Sequence, residues 1–211
     1  MPAASDRILK PRKTPRQARS EATVEAIFDA TIQVLLAEGA ARLTTTRVAE
    51  RAGVSVGTMY QYFPNKQALL HAVLKRHLDG LIDKVEKACR ALAGETIAVI
   101  SDGLVAAYLQ AKMDSFDTAR ALYAVGAELD LGSLQAANSK RVGEAVMAVL
   151  TSALDVRFED VRVVAFTLHV TVAGAVGAVL ERGGSRARAK ILASELPIMC
   201  RAYLTAVAKR K

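Results

Sequence analysis

Two hundred and eleven residues, 52% of them hydrophobic and 24% charged, are enough to bury a core, which excludes a wholly disordered or low-complexity chain. Lys plus Arg number 29 against 21 Asp plus Glu, a formal charge of +8 that favours an anionic partner without naming one. Cys89 and Cys200 are too few for a disulfide framework and belong to no Cys/His cluster, so they read as reduced residues of a cytoplasmic protein with no metal and no cofactor.

Residues 1–19 read as a flexible basic arm. Arg7, Lys10, Arg12, Lys13, Arg16 and Arg19 face one acid, Asp6, and three prolines (Pro2, Pro11, Pro15) oppose packing. The arm is either a solvated tail or a segment laid along a polyanion, and it has no apolar stretch of the kind a secretory signal needs. From Ser20 the pattern is helical: Val24, Ile27, Phe28, Thr31 and Leu35 share one face, and Gly39 closes the helix. Two short helical pieces follow, Thr44–Ala52 and Ser55–Phe63, joined at Gly53 and ended by Pro64-Asn65. A long helix runs from Lys66 to about Leu92. Thr96–Asp114, Asp117–Val125, Leu131–Leu154, Glu159–Arg182 and Ser185–Lys209 also read as helices, with a kink expected at Pro197.

The fold class is therefore all-α, with about nine helices and no internal repeat. Val161–Val172 is β-branched, yet its apolar run continues too far without a turn for a strand. Val163–Leu180 carries no formal charge and approaches the length of a membrane span. Thr167, His169, Thr171, Gly174 and Gly177 interrupt it and no aromatic belt flanks it, so it reads as a helix buried in protein, with no membrane partner.

The segment Thr44–Phe63 has the makings of a helix-turn-helix. Such a unit needs a small residue where its helices meet, an αL-tolerant residue in the turn, and apolar contacts between the two. Ala49 and Gly53 supply the first two, and Val48, Ala52, Val54 and Met59 supply the contacts. Ser55 is placed to cap the second helix, whose first residues would then meet base edges in a major groove. Val56 offers methyls to thymine, Gly57 lets backbone approach DNA, and Thr58 offers a hydroxyl and a methyl. Tyr60, Tyr62 and Lys66 fall where phosphates would lie. Thr44, with Thr45 beside it, offers hydroxyl and amide groups to a phosphate, and Arg47 reaches a phosphate or a base edge. The same pattern also fits a plain helix-loop-helix with Tyr60, Tyr62 and Phe63 as packed aromatics.

The run from Leu43 to Leu70, LTTTRVAERAGVSVGTMYQYFPNKQALL, resembles the DNA-binding signature of the TetR-type (TetR/AcrR) bacterial transcriptional regulators. Thr44, Val48-Ala49, Ala52-Gly53-Val54-Ser55, Gly57, Tyr60, Tyr62-Phe63, Lys66 and Leu69 carry the resemblance, which extends over residues 16–75; the later helices agree in number and length alone. It implies a helix-turn-helix DNA-binding domain over 20–65 and a ligand-binding and dimerisation domain over 66–211. It also implies a homodimeric repressor, released from a palindromic operator in double-stranded DNA by a small effector.

In that family the last two long helices of each subunit pair into a dimer interface. Ala173, Gly174, Gly177 and Ala178 would permit close approach there. Val172, Val176, Val179 and Leu180 would fill the seam with Ile191, Leu192, Leu196, Met199 and Leu204; the alternative is that both helices bury within one subunit. Tyr108, Met113, Phe116, Tyr123, Met147, Phe166 and His169 are the candidate effector contacts. Charges are scarce in these segments, so an apolar or weakly polar effector is expected.

An enzyme is not expected. No GxGxxG, P-loop or GxSxG is present, and His71 and His77 are not spaced as metal ligands. Asp79 and Asp83, near Lys84 and Lys87, read as a solvated helix face. The rival reading is an architectural DNA-binding protein that has the head and answers to no ligand.

Overall fold

The chain is described here from a computed structural model over residues 18–126, 129–181 and 185–211. The basic arm expected over 1–19 falls outside these residues, apart from the backbone of Ala18 and Arg19. In chain order the elements are α1 (Ala18–Glu38), a single 3-10 turn (Ala40–Arg42), α2 (Thr45–Ala52), α3 (Val56–Tyr62) and α4 (Lys66–Ala91). There follow α5 (Ile97–Asp114), α6 (Phe116–Gly126), α7 (Gly132–Thr151), β1 (Val156–Arg157), α8 (Val161–Glu181), α9 (Arg186–Val207) and β2 (Lys209–Arg210). The fold is all-α, and the β-branched stretch 161–172 is helical. The extended pieces form one antiparallel ladder, Val156 against Arg210 and Arg157 against Lys209. Two residues on each side are too few to leave a period in the sequence.

The helices gather into two compact units, Met1–His77 with Asp117–Leu131, and Leu78–Phe116 with Gly132–Lys211. The division falls inside α4, between His77 and Leu78.

The first unit is built on α1 to α3, the start of α4, and α6. Ile27, Phe28, Leu43, Val48, Met59, Phe63, Leu69 and Val73 are buried. The rings of Phe28 and Phe63 meet in a tilted pair at 5.7 Å. Arg76 lies 5.4 Å above the Phe28 ring and bonds Asp29 at 3.2 Å, with Glu25 also paired to it. Thr31, fully buried, returns its hydroxyl to the Ile27 carbonyl at 2.7 Å.

In the second unit, two loops are stitched together at their backbones. Gly94 N donates to Ser152 Oγ at 3.0 Å, Ile97 N to Asp155 Oδ1 at 2.9 Å, and Leu154 N to the Glu95 carbonyl at 3.1 Å. The α4–α5 and α7–α8 connections are thereby fixed to each other. Arg141 on α7 gathers three carboxylates of α4, Asp79 at 3.5 Å, Asp83 at 2.8 Å and Glu86 at 2.9 Å. Asp79 and Asp83, expected on a solvated helix face, stay in contact with solvent and also pair with Arg141. Both cysteines are buried free thiols, and burial pushes Cys89 up to about 11. α9 continues on both sides of Pro197 as one helix.

By length and composition α8 could cross a membrane, but Val164, Ala165, Leu168, Val172, Val176 and Leu180 on one face are buried in the second unit. The other face is not: Val163, Phe166 and Val170 are exposed. The helix expected to be buried in protein is buried on one face within the second unit.

Candidate nucleic-acid interface and effector cavity

Local chemistry sets the geometry of α2 and α3. Thr44 caps α2, its Oγ1 accepting from Arg47 N at 3.3 Å. Gly53 takes φ 68 and ψ 28, a left-handed conformation that a side chain would strain. The Gly53 and Val54 amides then close onto the Glu50 and Ala49 carbonyls at 3.2 and 3.0 Å. Ser55 caps α3 by accepting from Thr58 N at 3.0 Å, and its Oγ sits 2.9 Å from Thr58 Oγ1. Met59 and Tyr62 bury one face of α3. Ser55, Val56, Gly57, Tyr60 and Gln61 are exposed on the other.

Gly57 is informative because nothing among the described residues demands it. A Cβ placed there would meet one neighbour within 4 Å, Ser55 Oγ at an ordinary 3.7 Å. Tyr60 is 43% exposed, and its hydroxyl lies 3.2 Å from Thr45 Oγ1.

Two expected DNA contacts, Tyr62 and Thr45, are buried, and two more, Lys66 and Arg47, are engaged within the chain. Tyr62 is 7% exposed, its ring beside Phe63 at 6.4 Å and its hydroxyl bonded to Ser20 Oγ at 2.7 Å. It is a core residue that ties α1 to α3, not a rim residue. Thr45 is buried and holds Tyr60. Lys66 spends one ammonium proton on the Ala40 carbonyl at 3.1 Å, pinning the 3-10 turn to the start of α4. Arg47 is ion-paired with Glu38 at the end of α1. Gln61, four residues after Gly57 and so on its face, is a candidate contact that the sequence motif does not single out.

In the second unit, two small cavities are walled by α5 and α8. The first, of about 40 Å³, is lined by residues including Leu104, Tyr108, Val146, Leu168, His169 and Val172. The second, of about 20 Å³, is lined among others by Lys112, Met113, Phe116, Val176, Leu180 and Leu192. Each has room for a few waters at most. Of the expected effector contacts, Tyr108, Met113, Phe116 and His169 line these cavities. Burial lowers the pKa of His169, favouring the neutral ring. Met147 lines neither cavity, Tyr123 belongs to the first unit, and Phe166 is 67% exposed on the outer side of α8.

Lys112 carries one of the scarce charges into this interior. It is 4% exposed, and desolvation pushes its pKa down to about 8. Its Nζ lies 5.9 Å from the centre of the Tyr108 ring.

The expected dimer seam divides between inner and outer faces. Val172 and Ala173 line the first cavity; Val176, Leu180 and Leu192 line the second; Gly177 and Leu196 are also buried. Gly174, Ala178, Ile191 and Met199, also expected in the seam, are exposed. The outward apolar residues are Val163, Phe166 and Val170 on α8, with Ile191, Ile198 and Met199 on α9.

Residues 27–73 match the sequence profile of bacterial regulatory proteins of the tetR family, and residues 96–204 match the tetracyclin repressor-like C-terminal domain. The chain belongs to the TetR family. Members of the TetR family are transcriptional regulators, not enzymes. Among curated relatives, the HTH-type transcriptional repressor KstR of Mycolicibacterium smegmatis is 43% identical over 70 residues, 33% of each chain. The match therefore spans about a third of that relative's length. Among solved structures, a TetR-family regulator from Mesorhizobium loti aligns with a TM-score of 0.70 at 19% identity, covering 90% of this chain and 97% of the other. The SmeT–triclosan complex, SmeT being the repressor of the Stenotrophomonas maltophilia efflux pump SmeDEF, aligns at 0.61 and 24% identity over 89% and 92%. This TetR fold accounts for both units, a helix-turn-helix head and a helical body.

Proposed function

We propose that this TetR-family chain is a cytoplasmic, sequence-specific repressor that binds a palindromic DNA operator as a homodimer and is released by a small effector held in its helical body. The observation that carries the DNA reading is Gly57: exposed on the capped first turn of α3, with room for a side chain that the sequence does not use. The demand for glycine then comes from outside the chain, where backbone meets a base edge or a phosphate. Val56, Thr58, Tyr60 and Gln61 complete that face, with Thr44 and Arg47 beside it.

Gly57→Ala tests this directly. Alanine inside a helix stabilises by about 0.5–1 kcal/mol relative to glycine, so the variant should melt at or above the wild-type temperature. Its operator affinity should nonetheless fall by about 5- to 150-fold, the loss of about 1–3 kcal/mol that one spoiled base contact costs. An alanine variant that is more stable and binds DNA unchanged would refute the placement of α3 against DNA.

Glu38 supplies a second prediction. It holds the Arg47 guanidinium that would otherwise reach a phosphate. Glu38→Gln should therefore raise DNA affinity several-fold and steepen the slope of log K against log salt by about 0.9, one added phosphate contact. Stability should change by less than about 1 kcal/mol, as for an exposed ion pair. Binding titrations at four salt concentrations measure the affinity and the slope, and a melting curve reads the stability.

Dimerisation is supported by the outward apolar residues of α8 and α9, a patch that a soluble monomer rarely leaves uncovered. Effector release is supported by the two cavities between α5 and α8. At 40 and 20 Å³ they are closed to any drug-sized molecule, so an occupant must part these helices. α4 contributes Val85 to the first cavity and its opening turns to the head, so a displacement of this helix is the simplest carrier of the signal. A coupling of about 1–3 kcal/mol would be ordinary for such a switch.

A further inference from the structure

A cleft of about 320 Å³ opens between α4 and α7, lined among others by Glu86, Cys89 and Arg90 of α4 and by Arg141, Ala145 and Val149 of α7. Its volume falls among those of small-molecule sites, about 300–1,000 Å³. The first inner cavity, of about 40 Å³, is walled in part by the same two helices. On α4, Val85 faces that cavity and Cys89, one turn on, faces the cleft. On α7, Val142 and Val146 face the cavity, and Val149, next along their stripe, faces the cleft. An apolar strip on each helix thus leads from the cleft to the cavity. Cys89 and Val149 are 4% and 2% exposed, so the two strips are closed against solvent. Arg141 crosses from one wall to the other. Its guanidinium bonds Glu86, which lines the cleft from α4, at 2.9 Å, and Asp83 at 2.8 Å. These groups are partly exposed, so added salt weakens their pairing.

We infer that this cleft is the port through which an uncharged, apolar effector reaches the first inner cavity, with Arg141 as the bolt that ties α7 to α4 across it. The inference rests on the effector reading above and adds the route and the charge class of the ligand. Entry requires the apolar strips of α4 and α7 to part, and the bonds of Arg141 must release for that. None of the described residues lining the inner cavity carries a formal charge, so an ionic guest would leave water for a wall without a counter-charge. Three carboxylates gathered round one guanidinium also turn an anion away at the rim.

Thiol labelling of the full-length protein decides it. Cys89 in the cleft is the reporter, and Cys200, buried on α9 away from it, is the internal control. Leu168→Cys adds a third thiol on the α8 wall of the inner cavity. The reagents are methyl methanethiosulfonate, small and neutral, and its anionic 2-sulfonatoethyl analogue, with labelling at each thiol timed by peptide mass spectrometry. Arg141→Met should speed the neutral reagent about tenfold at Cys89 and at the introduced thiol, because a network of charged hydrogen bonds no longer opposes local opening. Cys200 should keep its rate. Ala145→Phe, which sets a ring in the cleft, should slow the introduced thiol by a similar factor. At that thiol the anionic reagent should lag the neutral one, each rate being divided by its value in the unfolded protein. Wild type gives a reading that needs no variant to fold: passing from about 0.1 to about 1 M salt cuts the screening length from about 10 Å to about 3 Å and should speed Cys89 relative to Cys200. A Cys89 rate indifferent to Arg141 and to salt, thiols that all speed up together, or an introduced thiol that ignores Ala145→Phe would overturn the port. An anionic reagent that keeps pace would overturn the charge class. In each of these cases a reactive introduced thiol leaves the effector reading standing. An introduced thiol that resists the neutral reagent even in Arg141→Met closes the cavity to small molecules and removes the effector reading together with the port.

Discussion

Replacing Phe166 and Ile198 together by aspartate should leave a folded chain that sediments as a monomer and releases its operator. The two side chains are 67% and 64% exposed within one subunit, so the charges are solvated there and cost the fold little. In the proposed dimer each is buried against a second copy, where an apolar side chain of this size stabilises by about 1.5–3 kcal/mol and an unpaired carboxylate is strongly disfavoured. DNA binding follows because two linked heads exceed the affinity of one by about 100- to 10,000-fold. The expected result is a melting temperature within a few degrees of wild type, a halved mass in sedimentation, and operator affinity lowered over that range. Val172→Asp is the contrasting variant. Val172 lines the first cavity, so its replacement should unfold the body and not merely split the dimer. A Phe166/Ile198 double variant that keeps its dimer mass would place the interface elsewhere.

The second large effect is on stability. Lys112 has its pKa lowered to about 8 from an ordinary 10.5 by desolvation. Between those two values the unfolded chain binds the proton and the folded chain has released it, so raising the pH through this window favours folding. Below pH 8 the full penalty stands, about 3 kcal/mol, because each pH unit between the two values is worth about 1.36 kcal/mol. The Tyr108 ring beneath the ammonium returns part of it, about 1 kcal/mol. Lys112→Met keeps the apolar stem of the side chain and removes the charge. It should therefore stabilise the protein at pH 7 by about 2 kcal/mol, with the gain fading as the pH rises from 8 to 10.5. Urea unfolding of both proteins at pH 7, 9 and 10.5 reads the difference, in which all other titrating groups cancel. A gain that is the same at all three values, or a loss at pH 7, would show that Lys112 is not charged in a desolvated site.

The head was legible because its signals are local. Thr44, Gly53 and Ser55 act on backbone groups within four residues of themselves, so a cap and a left-handed turn can be read directly from the chain. Placing both Tyr60 and Tyr62 on the DNA rim runs against the same local geometry. Residues two apart on a helix point about 200° away from each other, and Tyr62 falls on the Met59 side, inside. Thr45 likewise lies one position from the exposed Thr44 and turns inward.

The body was legible as helices and not as surfaces. α8 has no charge from Val163 to Leu180, so its sequence has no polar face to show which side meets the core. The small residues Ala173 and Gly177 suit an outward seam by size alone; Gly177 is buried, and Ala173 lines the first cavity with side chains of α5 and α7. Lys112 gave no sign of burial, since a lysine in a helix is ordinarily solvated. Its spacing of four from Tyr108 was the available hint, and that spacing is common on solvent-facing helices too.

The decisive experiment is selection by the purified protein from a pool of random duplex DNA, with the mass of the complex measured in the same preparation. The prediction is enrichment of an inverted repeat whose two half-sites are each read by one α3, carried by two copies of the chain, and lost in Gly57→Ala. Enrichment of nothing, with binding that weakens with salt and ignores sequence, would contradict it and leave a head that touches DNA without reading it.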